Sequence, residues 1–154
     1  MGRNFRLVRT LGFGATLGVT SAMPASAAVV SFIGAPGDDW SDASHWDAGG
    51  LLPGVGDDVR IGVLDTALNG TFNLDRFTVF SGGSVNVQSG RQLTVTQDSH
   101  NDGIIRLDDT SSSFSNNAQL RFSTNPITLS GSGSVLFSTN HQNILGSTNG
   151  GLVT

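Results

Sequence analysis

From Thr71 onward the apolar residues of this chain come in i, i+2 pairs separated by short polar corners. The pairs are Phe72/Leu74, Phe77/Val79, Val85/Val87, Leu93/Val95, Ile105/Leu107, Leu120/Phe122, Ile127/Leu129 and Val135/Phe137. Between them stand Ser81-Gly82-Gly83, Gln88-Ser89-Gly90, Asn101-Asp102-Gly103, Ser115-Asn116-Asn117 and Ser130-Gly131-Ser132-Gly133. A period of two places alternate side chains on opposite faces of a strand, so each pair predicts one buried face. The positions between and beside the pairs predict the wet face: Thr71, Asn73, Ser84, Asn86, Thr94, Thr96, Arg106, Gln119, Arg121 and Thr128. Upstream, Val59-Arg60-Ile61 opens a strand after a Gly/Asp corner, with Val59 and Ile61 inward.

Strands this short with corners this frequent fit two all-β architectures, an antiparallel β-sandwich or a coiled parallel stack. A sandwich of hairpins calls for longer strands joined by two-residue Asn-Gly or Asp-Gly turns. Here strands of three to five residues meet at Ser/Gly corners, and three strands with their corners use roughly twenty residues, about one circuit of a parallel β-helix. The pattern therefore predicts a right-handed parallel β-helix, with the antiparallel sandwich as the alternative. Each circuit would bury its inward pair against its neighbours.

Composition sharpens this picture. All twelve acidic residues are Asp, all eight basic residues are Arg, and Lys, Glu, Tyr and Cys are absent. A chain with 21 glycines and no Glu or Lys is poorly suited to helix. Without Cys it has neither disulfides nor thiolate metal sites. Residues 1–27 read as a secretory signal peptide: Arg3, Arg6 and Arg9 precede a mostly apolar stretch too short to span a membrane, and Pro24 and Ala25-Ser26-Ala27 supply a helix break and a cleavage pattern. Cleavage after Ala27 or Ala28 would leave five Arg against twelve Asp, a formal −7. Such a chain repels phosphate backbones and anionic lipid, so no nucleic-acid partner is expected. No membrane span is expected in the mature segment.

Residues 28–61 then form an N-terminal cap and first strand, and residues 62–154 the repeating part. The cap holds both tryptophans, Trp40 and Trp46. Large amphipathic rings can close the open end of a β stack. The alternative is a carbohydrate platform in which Trp40 and Trp46 stack on sugar rings while Asp42 and Asp47 bind hydroxyls. Gly54-x-Gly56-x-Asp58 matches part of a calcium-binding repeat, but Pro53 and Arg60 break the pattern and it occurs once. No cofactor is therefore expected, with calcium kept as the alternative. His45, His100 and His141 fall in three apparent loops with no metal-ligand spacing. No Gly-x-Ser-x-Gly elbow leads from a strand into a helix. The Asp residues sit in Gly/Asn/Ser-rich corners where capping is their ordinary work. No catalytic residue is assigned, and a polysaccharide-active enzyme remains the alternative.

Residues 40–61 resemble the W-x-x-x-x-x-W…LPG-x-GDDV-x-I opening of bacterial autotransporter-type and related sorted surface proteins. Ile127-Thr128-Leu129-Ser130-Gly131-Ser132-Gly133-Ser134-Val135, followed by Asn143-Ile144-Leu145-Gly146, is similar to their ITLSG-x-G-x-V…N-x-I-x-G repeat. The second half departs by one position from the family spacing. The resemblance implies a right-handed β-helical passenger, exported to the cell surface, the outer membrane or the medium, and adhesive toward a surface glycan or protein. Gly151-Leu152-Val153-Thr154 reads like the middle of a repeat, so a longer protein is expected.

Overall fold

The predicted alternation over Val59-Arg60-Ile61 is realised side chain by side chain: Val59 and Ile61 are buried and Arg60 between them is exposed. The computed structural model describes residues 27–108, 116–123, 126–138 and 143–147. Most of the expected leader (residues 1–26), His141 and residues 151–154 lie outside the described residues. The strands are β1 (Ala28–Ser31), β2 (Asp57–Ile61), β3 (Thr66–Leu68), β4 (Thr71–Leu74), β5 (Arg76–Val79), β6 (Ser84–Gln88) and β7 (Gln92–Val95). They continue with β8 (Ser99–Asn101), β9 (Ile104–Asp108), β10 (Gln119–Phe122), β11 (Leu129–Ser130), β12 (Ser134–Phe137) and β13 (Ile144–Ser147). Among the described residues the one helical element is a single 3-10 turn, Ala43–His45.

These strands form three sheets, in the orders β1-β2-β5-β8-β11, β3-β6-β9-β12 and β4-β7-β10-β13. From β2 onward the chain visits the sheets in rotation, returning to each after every third strand. Every pairing between these strands is parallel, with Val59 opposite Phe77, Val85 opposite Ile105 and Leu93 opposite Leu120. Parallel neighbours need a crossover rather than a hairpin, and here the crossover is the passage through the other two sheets. The antiparallel sandwich is thereby overturned: a tight turn between neighbours would pair them antiparallel, whereas each strand here pairs in parallel with one about a circuit away. The described residues are all-β, with parallel sheets and no closed barrel among them.

Register turns the sequence pairs into apolar rows. Phe72, Leu93, Leu120 and Leu145 align across one sheet, and Leu68, Val87, Leu107 and Phe137 across another. Except for Leu145 and Phe137, which are exposed at the row ends, their side chains join Val59, Phe77 and Val79 of the third sheet in one core. A single core lined by flat rows lets each circuit bury the apolar face of the last.

The corner leading from β5 to β6 and its two successors show how closely the circuits approach. Ile104 N donates to the Gly83 carbonyl at 3.1 Å and Ser134 N to the Gly103 carbonyl at 2.9 Å. A Cβ on Gly103 would collide with the Gly83 carbonyl oxygen, and one on Gly133 with that of Gly103. Gly83, Gly103 and Gly133 thus form a stacked corner that admits no side chain. In the first circuits bonded partners lie 18 to 22 residues apart, as in Thr66 to Ser84 and Phe77 to Ser99, near the spacing predicted. His100 and Ser130 are 30 apart, so the later circuit is longer.

Several sequence expectations need correction. β1 and β3 lie outside the predicted strand series, because Ala28-Val29-Val30 runs apolar without alternation and Thr66-Ala67-Leu68 is buried at every position. Ser84 and Thr94, assigned to the wet face, are buried. Ser84 Oγ is drawn against Asp65, 3.2 Å from its Oδ1. Thr94 sits on a central strand between Asn73 and Arg121 and accepts from Gln92 Nε2 at 2.7 Å. His100 lies on β8 rather than in a loop.

Candidate functional site

The two tryptophans come together, but not as an exposed platform. Residues 38–40 run beside β3, with Trp40 N donating to the Ala67 carbonyl and Ala67 N to that of Asp38, both at 2.9 Å. β1 covers the edge of β2 in the same way. Held between them, Trp40 is 0 % exposed and Trp46 is 2 %. The rings pack edge to face in a chain: Phe32 to Trp46 at 5.0 Å, Trp46 to Trp40 at 5.1 Å and Trp40 to Phe72 at 5.5 Å. Each indole N–H is satisfied inside, Trp40 Nε1 donating to Thr66 Oγ1 at 3.1 Å and Trp46 Nε1 to the Trp40 carbonyl at 2.9 Å. Phe72 heads one inward row, so this aromatic chain closes that end of the core.

Asp42 and Asp47 stay at the surface and serve the backbone. Asp42 caps the 3-10 turn, accepting from Ser44 N at 2.9 Å and Ser44 Oγ at 2.7 Å, and these bonds hold its carboxyl below the usual range. Asp47 Oδ1 accepts from Ser31 N. Stacking on sugar needs an open indole face, and both faces here are taken by protein. The four residues proposed for a platform instead divide into a buried plug, a turn cap at Asp42 and a tie from Asp47 to β1. At the partial calcium motif, Asp57 Oδ2 accepts from Gly54 N at 2.8 Å, and Asp58 Oδ1 is buried without a partner. No group of three potential metal ligands converges among the described residues.

His45 lies on the rim of the plug. Its Nδ1 is 2.9 Å from the Asp39 carbonyl, and its Nε2 is 3.4 Å from Asp38 Oδ2 and 3.9 Å from Asp42 Oδ2. The carbonyl bond, then the neighbouring carboxylates, raise its pKa above the ordinary 6.5. A raised value means stabilisation that is complete below pH 6.5 and lost as pH climbs through the folded value. Proton NMR of the His45 ring is expected to show a midpoint above 6.5 that falls in Asp38→Asn; a midpoint at or below 6.5 would remove the contact.

A second cluster was not legible in the sequence. Ser130 Oγ lies 2.9 Å from His100 Nδ1, and His100 Nε2 lies 2.8 Å from Asp102 Oδ2. The order Ser-His-Asp is that of a nucleophile relay, although here the serine meets Nδ1 and the aspartate Nε2. Ser130 Oγ also lies 3.3 Å from the Ser99 carbonyl, to which it donates. Nucleophilic catalysis also needs oxyanion donors in a water-excluded site. This cluster is open to solvent, with His100 and Asp102 side chains 43 % and 37 % exposed. A cavity of about 250 Å³ lies elsewhere, lined by Arg106, Asp108, Leu136 and Phe137 among others.

What the cluster does do is tie one circuit to the next. Asp102 Oδ1 accepts from Ser132 N at 2.9 Å and Ser132 Oγ at 3.0 Å, 30 residues along the chain, and Asp98 likewise accepts from Thr128 N at 2.8 Å. The Ser132 amide, the His100 ring and the Ser132 hydroxyl together hold the Asp102 pKa down from 3.8 to about 2. A depressed carboxylate stabilises the fold above its ordinary value and loses that contribution as pH falls through about 2. Asp102→Asn is therefore expected to lower the thermal midpoint at neutral pH, with the gap to wild type closing between about pH 4 and pH 2. A gap that persists to pH 2 would assign the loss to something other than ionisation.

No family model matches this chain, and no curated protein or solved structure is significantly similar to it. Among the described residues no helix is long and apolar enough to cross a membrane.

Proposed function

We propose that this chain is an exported structural and adhesive module, the N-terminal cap and first circuits of a right-handed parallel β-helix in a passenger of the autotransporter type. The observation that carries this reading is the rotation of the chain through three parallel sheets around one apolar core, closed at the N-terminal end by Trp40 and Trp46. That arrangement favours extended display. Thr71, Asn73 and Gln92 stand on the outer face of one sheet, and Thr78, His100 and Ser130 form an outward row on another. Asp38, Asp42, Asp57, Asp98 and Asp102 accept backbone N–H groups of corners and caps, which supports a scaffold over an enzyme. Contact with a host or environmental glycan or protein would be spread over many weak polar interactions, and repeated display would supply avidity.

The test is retention of beads coated with mature chain, from Val29, on epithelial monolayers and on polysaccharide films. Dense coating is expected to hold beads where the free chain binds about 10²-fold or more weakly. Retention equal to that of beads carrying an unrelated acidic protein, or release of sugar products from the films, would overturn the proposal.

A further inference from the structure

We infer that Asn69-Gly70, the corner between β3 and β4, is a self-modification site at which the Gly70 nitrogen attacks the Asn69 side-chain carbon and expels ammonia. An Asn-Gly pair is disposed to this closure because glycine brings no Cβ to crowd the attack. In this corner three features of the structure favour it further. Among the described residues the Gly70 N–H has no hydrogen-bond partner, so the nucleophile is unengaged. Asn69 Oδ1 accepts from Ser41 N at 3.3 Å. A backbone donor there stabilises the negative charge that the oxygen takes on as nitrogen adds to Cγ, the role of an oxyanion donor. Asn69 Nδ2, the leaving group, has no partner among the described residues. Both residues are only half-buried, so water reaches the product.

Asp102-Gly103 is the contrasting corner. Gly103 is buried and its N–H donates to Asn101 Oδ1 at 3.2 Å, while Ser132 and His100 hold the Asp102 oxygens. Asn73, Asn86 and Asn101 precede Leu74, Val87 and Asp102, whose side chains crowd the same attack. Asn149-Gly150 lies outside the described residues. Position 70 has little room for anything but glycine, since a Cβ there would stand 2.9 Å from the Phe72 ring. The reactive pair is thus tied to the packing that closes the core.

The chemistry needs water alone. Gly70 N loses its proton to solvent base and bonds to Cγ; the Cγ–Nδ2 bond breaks, and ammonia leaves after taking up a proton. Water then opens the succinimide at either carbonyl. Attack at Cγ gives aspartate. Attack at the main-chain carbonyl gives isoaspartate, which routes the backbone through Cβ and lengthens the corner by one methylene. β4 carries Phe72, whose ring centroid is 5.5 Å from that of Trp40, so the longer corner displaces a ring that the plug rests on.

The test follows mature chain from Val29, folded in buffer and unfolded in urea, by peptide mass spectrometry with isoaspartate methyltransferase labelling. In the folded chain Asn69 is expected to convert at least about tenfold faster than Asn73, Asn86 or Asn101, a barrier difference of about 1.4 kcal/mol. It is also expected to convert no more slowly than in urea, and faster as pH rises, because the attacking species is the deprotonated amide. Ser41→Pro removes the oxyanion donor and leaves the dipeptide intact. Once circular dichroism shows it folded, it is expected to convert about tenfold or more slowly than wild type, with equal rates in urea. The urea comparison needs no substitution. Asn69 that converts in urea but persists in the folded chain would overturn the inference, as would conversion no faster than at Asn73. Isoaspartate-bearing chain, separated by ion exchange, is expected to unfold at a lower thermal midpoint than unconverted chain; equal midpoints would overturn the effect on the plug.

Discussion

Trp40→Ala is expected to lower the unfolding free energy by about 4 kcal/mol, the range for emptying a large aromatic site in a core. The indole is 0 % exposed, touches Trp46 and Phe72 edge to face, and donates to Thr66 Oγ1. Its removal opens the core end and leaves Trp46 and Phe72 without their common neighbour. A domain of ordinary stability, about 5–15 kcal/mol, would lose a large fraction of its margin. Urea unfolding at constant slope measures the loss, with Leu51→Ala as a control that should stay within about 0.5 kcal/mol because Leu51 is exposed. A loss under about 1.5 kcal/mol would mean that the plug can collapse around the gap. Trp40→Phe, which keeps a ring but drops the N–H, is expected to fall between the two.

The second large effect concerns a residue with no side chain. Gly103→Ala is expected to cost about 3 kcal/mol, the upper range for overpacking. The added methyl meets the Gly83 carbonyl oxygen, and also the Phe80 oxygen and Val79 Cγ1 at 2.7 Å each. None of these can step aside cheaply, since the Gly83 carbonyl is already bonded to Ile104 N. Gly82→Ala isolates the alternative cause. Gly82 has φ 85° with nothing within 4 Å of its would-be Cβ, so its loss is conformational and about 1–2 kcal/mol. Equal losses at 82 and 103 would mean that corner conformation, rather than the approach of successive circuits, limits the stack.

Together these two sites describe how such a fold is held: a plug starts the core, and corners narrow enough for backbone to touch backbone carry it on. The aspartates belong to the same economy of short corners. Asp38, Asp57, Asp98 and Asp102 each accept a backbone N–H within a turn or across one circuit. An acidic composition that looked like ligand-binding capacity is in large part the chemistry of bending a chain this often.

The sequence by itself determined most of the strands and their inward faces, though not β1, β3 or β8. Phe77/Val79, Val85/Val87 and Leu93/Val95 are buried as their period of two requires, because alternation is a local property of an extended backbone. Glycine-rich corners were legible for the same reason. The role of Trp40 and Trp46 as a lid could be weighed from composition, but their burial could not be read there. Exposure depends on which strand edges residues 38–40 and β1 come to cover. Direction of pairing was also beyond local pattern, since parallel and antiparallel strands share one alternation, and only the tertiary register ruled out the sandwich. The Ser130-His100-Asp102 contact lay furthest from view. Ser130 is 30 residues from His100 across a lengthened circuit, and no periodicity in the chain announces which residues that circuit brings face to face. Short-range order came from the residues themselves; what stands beside what was decided when the circuits stacked.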